Sequence, residues 1–278
     1  MSKTQVSEIQ LGNLKVQGLS RAGTGTSLFL PEFKICFDVA QGWPFHYASK
    51  HFFITHSHMD HAGGIPYIIS QRGLMNLPEA QFYMPEAMIE PMHEILKQWQ
   101  KIEGHTYQYS LNPLPLDKEV EVKPNYFVRS FKTQHRVDSQ GYALIQKKKK
   151  LKPEYLNLCQ QTLVDLKNSG TKIHEYIEEI EFAFTGDTKI EFLDVSPWVK
   201  NSKVLFMEVT YFDEKRSIER ARTWGHIHFE ELLPRLAEIK SNHLVLTHIS
   251  TKYSHSKACE ILEKKVRLKA DLERLHIF

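Results

Sequence analysis

The segment Thr55-His56-Ser57-His58-Met59-Asp60-His61 gathers four metal-competent side chains within six residues, and it constrains the fold more than any other stretch of the chain. It follows the aromatic and β-branched run His51–Thr55 and precedes Gly63, Gly64 and Pro66. That order predicts a strand ending in a loop, with a helix starting near Ile65. Side chains alternate along a strand, so His56 and His58 share a face while the following turn aims Asp60 and His61 elsewhere. Imidazole and carboxylate are ligands that Zn2+ takes at about 2.0–2.2 Å with no thiolate required. With 15 histidines in 278 residues some cluster by chance. Their position at the C-terminal edge of a strand favours instead one short loop serving two metals.

The rest of the chain alternates between strand and helix signals. Leu28–Leu30 and Lys34–Val39 read as strands after the Gly-rich turn Ala22–Gly25, whose Gly-x-Gly fits neither a Walker loop nor a dinucleotide fingerprint. Val120–Phe131 and Gly141–Ile145 read as strands separated by a loop that carries His135. Phe182–Phe184 reads as a strand ending at Gly186-Asp187, Val204–Val209 as another, and His243–Thr247 as one that delivers His248 to its end. Met88, Met92, Ile95, Leu96 and Trp99 have the spacing of a core-facing helix over Glu86–Lys101, and Phe229–Ile239 reads as an amphipathic helix. Lys147–Lys150 opens a polar stretch in which Pro153–Glu179 is helical in part, an arm-like insertion around 146–180. The class is α/β or α+β, a single domain over 1–278 with helices covering packed sheets.

A hydrophobic content of 41% supplies a full core, and a net charge of +3 permits an anionic partner without the strongly basic balance of a dedicated nucleic-acid binder. Cys36, Cys159 and Cys259 are odd in number and widely separated, which argues against a disulfide framework or a thiolate zinc site and suits a reducing cytoplasm. Met1–Gly12 lacks the apolar core of a secretory leader, and no run approaches the roughly 20 apolar residues of a membrane span. The expectation is a soluble, cytoplasmic protein with no membrane partner.

His-x-His-x-Asp-His after a strand resembles the signature of the metallo-β-lactamase superfamily. Phe37-Asp38 upstream, then His135, Thr185-Gly186-Asp187-Thr188 and Leu246-Thr247-His248, match its other motifs in order. The resemblance covers most of the chain and implies a four-layer αβ/βα sandwich. It also implies two Zn2+ per chain, with Mn2+ or Fe2+ as alternatives: one ion held by His56, His58 and His135, the other by Asp60, His61 and His248. Asp187 would bridge them and Asp38 would support the metal loop. Ala183–Thr188 is similar to the aspartate motif of ribonuclease Z, Val204–Thr210 to its strand ending in a glutamate, and Trp224–His228 to its Gly-His segment. That likeness implies an endoribonuclease, a homodimer, that removes the 3′ trailer of precursor tRNA by metal-activated hydroxide. Asp60 would assist as base, and His226, oriented by Glu208, would protonate the leaving 3′-oxygen.

The interval between His135 and Asp187 lacks the Gly-Pro-rich tip of the family's long arm, so the likeness is to a short form. Lys147, Lys148, Lys149 and Lys150 read either as phosphate contacts or as a solvated face. Glu208 reads alternatively as a structural ion pair, and His226 as the cap of the helix after His228. Rival functions remain open: a hydrolase of a small phosphodiester, ester or lactam, an inactive RNA-binding relative, and a non-hydrolytic diiron redox protein. The last needs a carboxylate where this chain has Ser57.

Overall fold

Strands whose residues are apolar on both faces need cover on both sides, and the central strands here receive it from a second sheet inside and helices outside. In the computed structural model, which describes residues 6–278, the first sheet contains β1 (Ser7–Leu11), β2 (Leu14–Ala22), β3 (Gly25–Leu30), β4 (Ile35–Phe37), β5 (His51–Phe53), β6 (Ala80–Met84) and β7 (Tyr109–Pro113) in that spatial order. The second contains β8 (Glu119–Lys123), β9 (Tyr126–Lys132), β10 (Gln140–Leu151), β11 (His174–Phe184), β12 (Val204–Glu208) and β13 (His243–Thr247). Its spatial order is β15-β13-β12-β11-β10-β9-β8, with β15 at Leu275–Ile277. The short β14 (Ile249–Ser250) leaves β13 and pairs with β2, joining the sheets. Of the leader reading on Met1–Gly12, residues 1–5 lie outside the described residues.

Period-two alternation separates the layers. Phe53 faces Phe37, Tyr142, Phe182 and Phe206 between the sheets, while its neighbour Phe52 faces α2 (Ile65–Leu74) and α3 (Ile89–Glu103) beyond the short α1 (Met59–Ala62). In the second sheet Phe206 points inward. Leu205 and Met207 point outward, toward the layer that holds α5 (Phe192–Val195), α7 (Phe229–Leu232), α8 (His255–Lys265) and α9 (Lys269–Arg274). The two remaining helices are α4 (Gln160–Asn168) and α6 (Ile218–Trp224). Each wholly buried phenylalanine contributes about 1.5–3 kcal/mol. The result is the four-layer αβ/βα sandwich that the resemblance implies.

Four expectations change in detail. Val120–Phe131 is a hairpin of β8 and β9, turned at Asn125 with φ 68°. The Lys147–Lys150 run continues β10, and the stretch from His174 is not helical but pairs with it as β11, with α4 beyond the hairpin's end. The helix over Phe229–Ile239 stops at Leu232, because Pro234 cannot extend it, and a 3-10 turn takes over. On α3 Met92 and Leu96 are buried, with Met88 just ahead of it, but Ile95 and Trp99 are nearly half exposed.

β4 through β7 run parallel, as do β11, β12, β13 and β15. Parallel strands end together, so Asp38, Thr55, His56, Thr185–Asp187, Glu208 and His248 emerge along one edge of the sandwich. The loop after β4 is held there by Gly64, whose N–H donates to Ala40 O at 2.7 Å. A Cβ at Gly64 would meet Gln41 C at 2.7 Å and Gly42 Cα at 2.8 Å. Gly64→Ala is therefore expected to lower unfolding free energy by about 1–3 kcal/mol, read as an earlier denaturant midpoint at unchanged m.

Candidate metal centre

Thr55 lies two residues past β5, its N–H donating to Asp38 Oδ1 at 2.7 Å and its hydroxyl donating to Asp38 Oδ2 at 2.8 Å. The same hydroxyl accepts from His56 Nδ1 at 2.9 Å, which turns Nε2 of that ring inward. His61 Nδ1 donates to Asp38 Oδ2 at 2.7 Å. Asp38 is wholly buried and held at φ 53°, so one strained residue orients two histidines. Burial pushes its carboxyl up, opposed by His61 and the Thr55 hydrogen bonds.

The later histidines are fixed in the same way. His135 Nδ1 donates to Gly225 O at 2.8 Å. His248 Nδ1 lies 3.1 Å from Thr210 Oγ1, which itself donates to Glu208 Oε2 at 2.7 Å. Asp60 Oδ2 accepts the Gly23 N–H at 2.9 Å, so the β2–β3 turn that the sequence marked also anchors a site carboxylate. Asp60 is held down at about 2, burial being outweighed by His248 and His61.

These constraints leave the free nitrogens of the rings converging. His56 Nε2 and His135 Nε2 each stand 3.2 Å from His58 Nδ1, with Asp187 Oδ2 at 3.7 Å and 4.0 Å from the first two. Asp187 Oδ1 lies 3.4 Å from His61 Nε2, and His248 Nε2 lies 3.5 Å from Asp60 Oδ2. His56, His58, His135 and Asp187 thus form one group able to hold a metal ion, and Asp60, His61 and His248 another. Asp187 faces each group with a different oxygen.

The donor set fits cations. His61 Nε2, Asp187 Oδ1 and His248 Nε2 are buried with no hydrogen-bond partner. Burial pushes the imidazoles of His56, His58 and His135 down, which disfavours the protonated form that could not bind a cation. Donors about 2.0–2.1 Å from a tetrahedral Zn2+ stand about 3.3–3.4 Å apart, close to the spacing around His58.

Beside the cluster, Glu208 is wholly buried and accepts four hydrogen bonds. Oε1 takes Thr188 N at 2.9 Å and His226 Nδ1 at 2.8 Å, and Oε2 takes Thr210 Oγ1 and, at 3.3 Å, Ile227 N. Burial opposes the charged form of His226, but the Glu208 carboxylate outweighs it and holds the imidazole up at about 9. The helix after His228 is capped by His228 itself, through Nδ1 to Glu230 N, and not by His226. Sequence reasoning did not find Thr210, which couples Glu208 to His248, nor the part of Gly23. Neither carries a signal beyond its residue type.

The lysine run lies away from this cluster. Lys147 pairs with Glu119 and Glu178, and Lys148 with Glu179 at 2.7 Å. Lys149 and Lys150 are exposed and have no carboxylate partner among the described residues.

Residues 48–249 match the Beta-lactamase superfamily domain. The chain is 33% identical over 249 residues to tRNase Z TRZ1 of Arabidopsis thaliana, a match spanning 88% of this chain and 89% of that protein. The chain belongs to the ribonuclease Z family. Nuclear ribonuclease Z of Triticum aestivum is 31% identical over 165 residues, 59% of this chain and 94% of that one. Among solved structures, human tRNase Z, short form, aligns with TM-score 0.60 at 15% identity over 94% of each chain. The metallo-beta-lactamase fold protein YhfI of Bacillus subtilis aligns with TM-score 0.63 at 13% identity, covering 95% of this chain and 96% of that one. These two likenesses establish the fold. As a member of the ribonuclease Z family the protein is a metal-dependent hydrolase, an endoribonuclease.

Asp38→Asn turns an amide N–H2 toward donors that now meet a carboxylate. The change is expected to cost about 1–3 kcal/mol of stability and to weaken metal binding about 10–100-fold, measured by competition with a chelator.

Proposed function

We propose that this protein cleaves the 3′ trailer from precursor tRNA, using two zinc ions. One is held by His56, His58 and His135, the second by Asp60, His61 and His248, with Asp187 shared. The observation that carries the reading is the Glu208–His226 pair beside the two ligand groups, in a chain a third identical to a tRNase Z over nearly its whole length. When bound, the ions supply Lewis-acid charge at the phosphate and water acidified toward neutrality.

The chain's own residues do the remaining work. Asp60, ionised and tied to Gly23, accepts a proton from the attacking water. Glu208 holds Nδ1–H of His226, so Nε2 is the nitrogen that delivers a proton to the departing 3′-oxygen. The products are a 3′-hydroxyl on the tRNA body and a 5′-phosphate on the trailer. Phosphate contact by the lysine run falls to Lys149 and Lys150, whose side chains are exposed. Exposed Tyr67, Leu74, Ile95, Trp99 and Ile102 on α2 and α3 support a homodimer through that face. Three free cysteines support residence in a reducing cytoplasm.

Protein purified without chelators is expected to hold about two zinc ions per chain by elemental analysis, and to process a trailer-bearing precursor tRNA to those ends. Hydrolysis of bis(p-nitrophenyl) phosphate with no precursor cleavage would overturn the tRNA reading in favour of a small-diester hydrolase. His226→Ala is expected to lower kcat on precursor about 10²–10⁴-fold, and much less on bis(p-nitrophenyl) phosphate, whose leaving group needs no proton. Because the acid form of His226 acts, the wild-type rate should fall as pH rises through about 9. Glu208→Gln removes the charge that raises this pKa, and the alkaline limb of its pH–rate profile should move to lower pH.

A further inference from the structure

Two exposed side chains flank the histidine cluster and take no part in the site described above. Arg136 follows His135 in the loop after β9, and Trp224 closes α6, two residues before His226. The Arg136 guanidinium carbon stands 4.7 Å from the centroid of the Trp224 ring. Trp224 is 47% exposed. Among the described residues Arg136 has no carboxylate within ion-pair reach, whereas Arg222 on the same α6 is bound by Glu191 and Glu231. A guanidinium held over an indole keeps its N–H donors, which the ring does not accept as a carboxylate would, open to an anion.

The pair is fixed relative to the cluster. Gly225, at φ 78°, lies between Trp224 and His226, and its carbonyl accepts from His135 Nδ1. A Cβ there would meet His135 Nδ1 at 2.6 Å and Arg136 N at 3.2 Å. Through that glycine the end of α6 and the His135 loop dock backbone to ring. Arg136 and Trp224 therefore stay beside His135 and His226.

We propose that Arg136 and Trp224 form a nucleotide clamp at the rim of the metal centre. The nucleotide held is the one whose 3′-oxygen leaves, the last of the mature RNA. This rests on the RNA-cleavage reading. Its side follows from Trp224 standing two residues from His226, the proton donor to that oxygen. Arg136 takes a backbone phosphate on its N–H edge while the base stacks on the Arg–Trp face. An acidic peptide would use the guanidinium and leave the indole idle, whereas a nucleotide uses both. Stacking accepts any base at about 1–3 kcal/mol, so the clamp positions the strand without choosing a sequence.

The test uses the full-length, metal-loaded protein with Arg136→Ala, Trp224→Ala and Trp224→Phe. Two ligands are used: a trailer-bearing precursor, and its cleaved product, a tRNA ending in a 3′-hydroxyl. Both alanine variants should weaken product binding and raise KM on precursor about tenfold or more, as loss of one stacked contact implies. The accompanying loss of kcat/KM on bis(p-nitrophenyl) phosphate should be far smaller. Arg136→Ala should also lower the salt dependence of product binding by roughly the one contact removed, and Trp224→Phe should restore most of the affinity. Wild-type product affinity and KM in both alanine variants would overturn the clamp. So would equal losses on both substrates with a lowered Tm and no rescue by Trp224→Phe, which mark a structural prop. A wild-type protein that cuts no precursor, yet binds the product in a way that both alanine variants weaken, defeats the cleavage reading and keeps the clamp as a site for a 3′-terminal nucleotide. Failure to bind tRNA at all defeats both.

Discussion

Ring nitrogens of five histidines converge with two carboxylates at one edge of this sandwich, and the residues around them are arranged to hold them there. His56, His58 and His135 meet at 3.2 Å, and His61, His248 and Asp187 bury polar atoms with no hydrogen-bond partner. Left alone, such groups would rotate outward or take up protons. They are held because His56, His61, His135 and His248 each have the second ring nitrogen engaged by an acceptor: Thr55, Asp38 or Thr210 just past a strand end, or Gly225 O at the end of α6. Outer partners of this kind set both the tautomer and the ring plane of a metal-binding histidine. Parallel strands from two sheets, ending at one edge, bring those acceptors within reach of each other.

The same acceptors tie the proposed proton donor to the proposed ligands. Glu208 receives His226 on one oxygen and Thr210 on the other, and Thr210 in turn receives His248. A shift of His248 therefore passes through two hydrogen bonds to the group that sets the protonation of His226. With four donors around it, the buried Glu208 carboxylate is fully satisfied, and burying it without them would carry a heavy desolvation cost. The proposed proton donor and the proposed ligand His248 thus share one hydrogen-bonded unit.

That His56, His58, Asp60, His61, His135, Asp187 and His248 would converge was legible in the sequence because ligand types are few and the motifs recur in order at the ends of strands or in the loops after them. His56 and His58 lie in the loop past β5 and not on the strand end that the sequence suggested, His58 at the N-cap of α1, while Asp187 and His248 follow runs of apolar residues buried on both faces. What supports them was not legible. Thr55, Thr210 and the Gly23 N–H act through contacts between residues 17 to 38 positions apart in sequence, and a threonine or a backbone N–H has no pattern to betray it. Strand limits failed where the sheet leaves the core: β10 continues through Lys147–Lys150 although no apolar alternation marks it, because β11 supplies partners beyond the sandwich. The helix over Phe229–Ile239 failed for a local reason, Pro234, which its apolar period concealed.

A lysine run suggests attraction for phosphate, yet register decides how much of that charge is free. Lys147 lies opposite Glu178, Lys148 lies opposite Ile177 and reaches Glu179 diagonally, while Lys149 faces Tyr176 and Lys150 faces Glu175. Such exposed pairs are worth at most about 1 kcal/mol, so a phosphate competes with them readily, but only by releasing a carboxylate beside it. The attraction the hairpin offers RNA is accordingly smaller than four lysines imply. Arg136 differs, since an indole holds its guanidinium without neutralising it. Arg136 stands within one residue of His135, whereas among the described residues only Lys149 and Lys150 of the lysine run lack a carboxylate partner and both lie farther from the cluster, which is why the proposed clamp rests on Arg136.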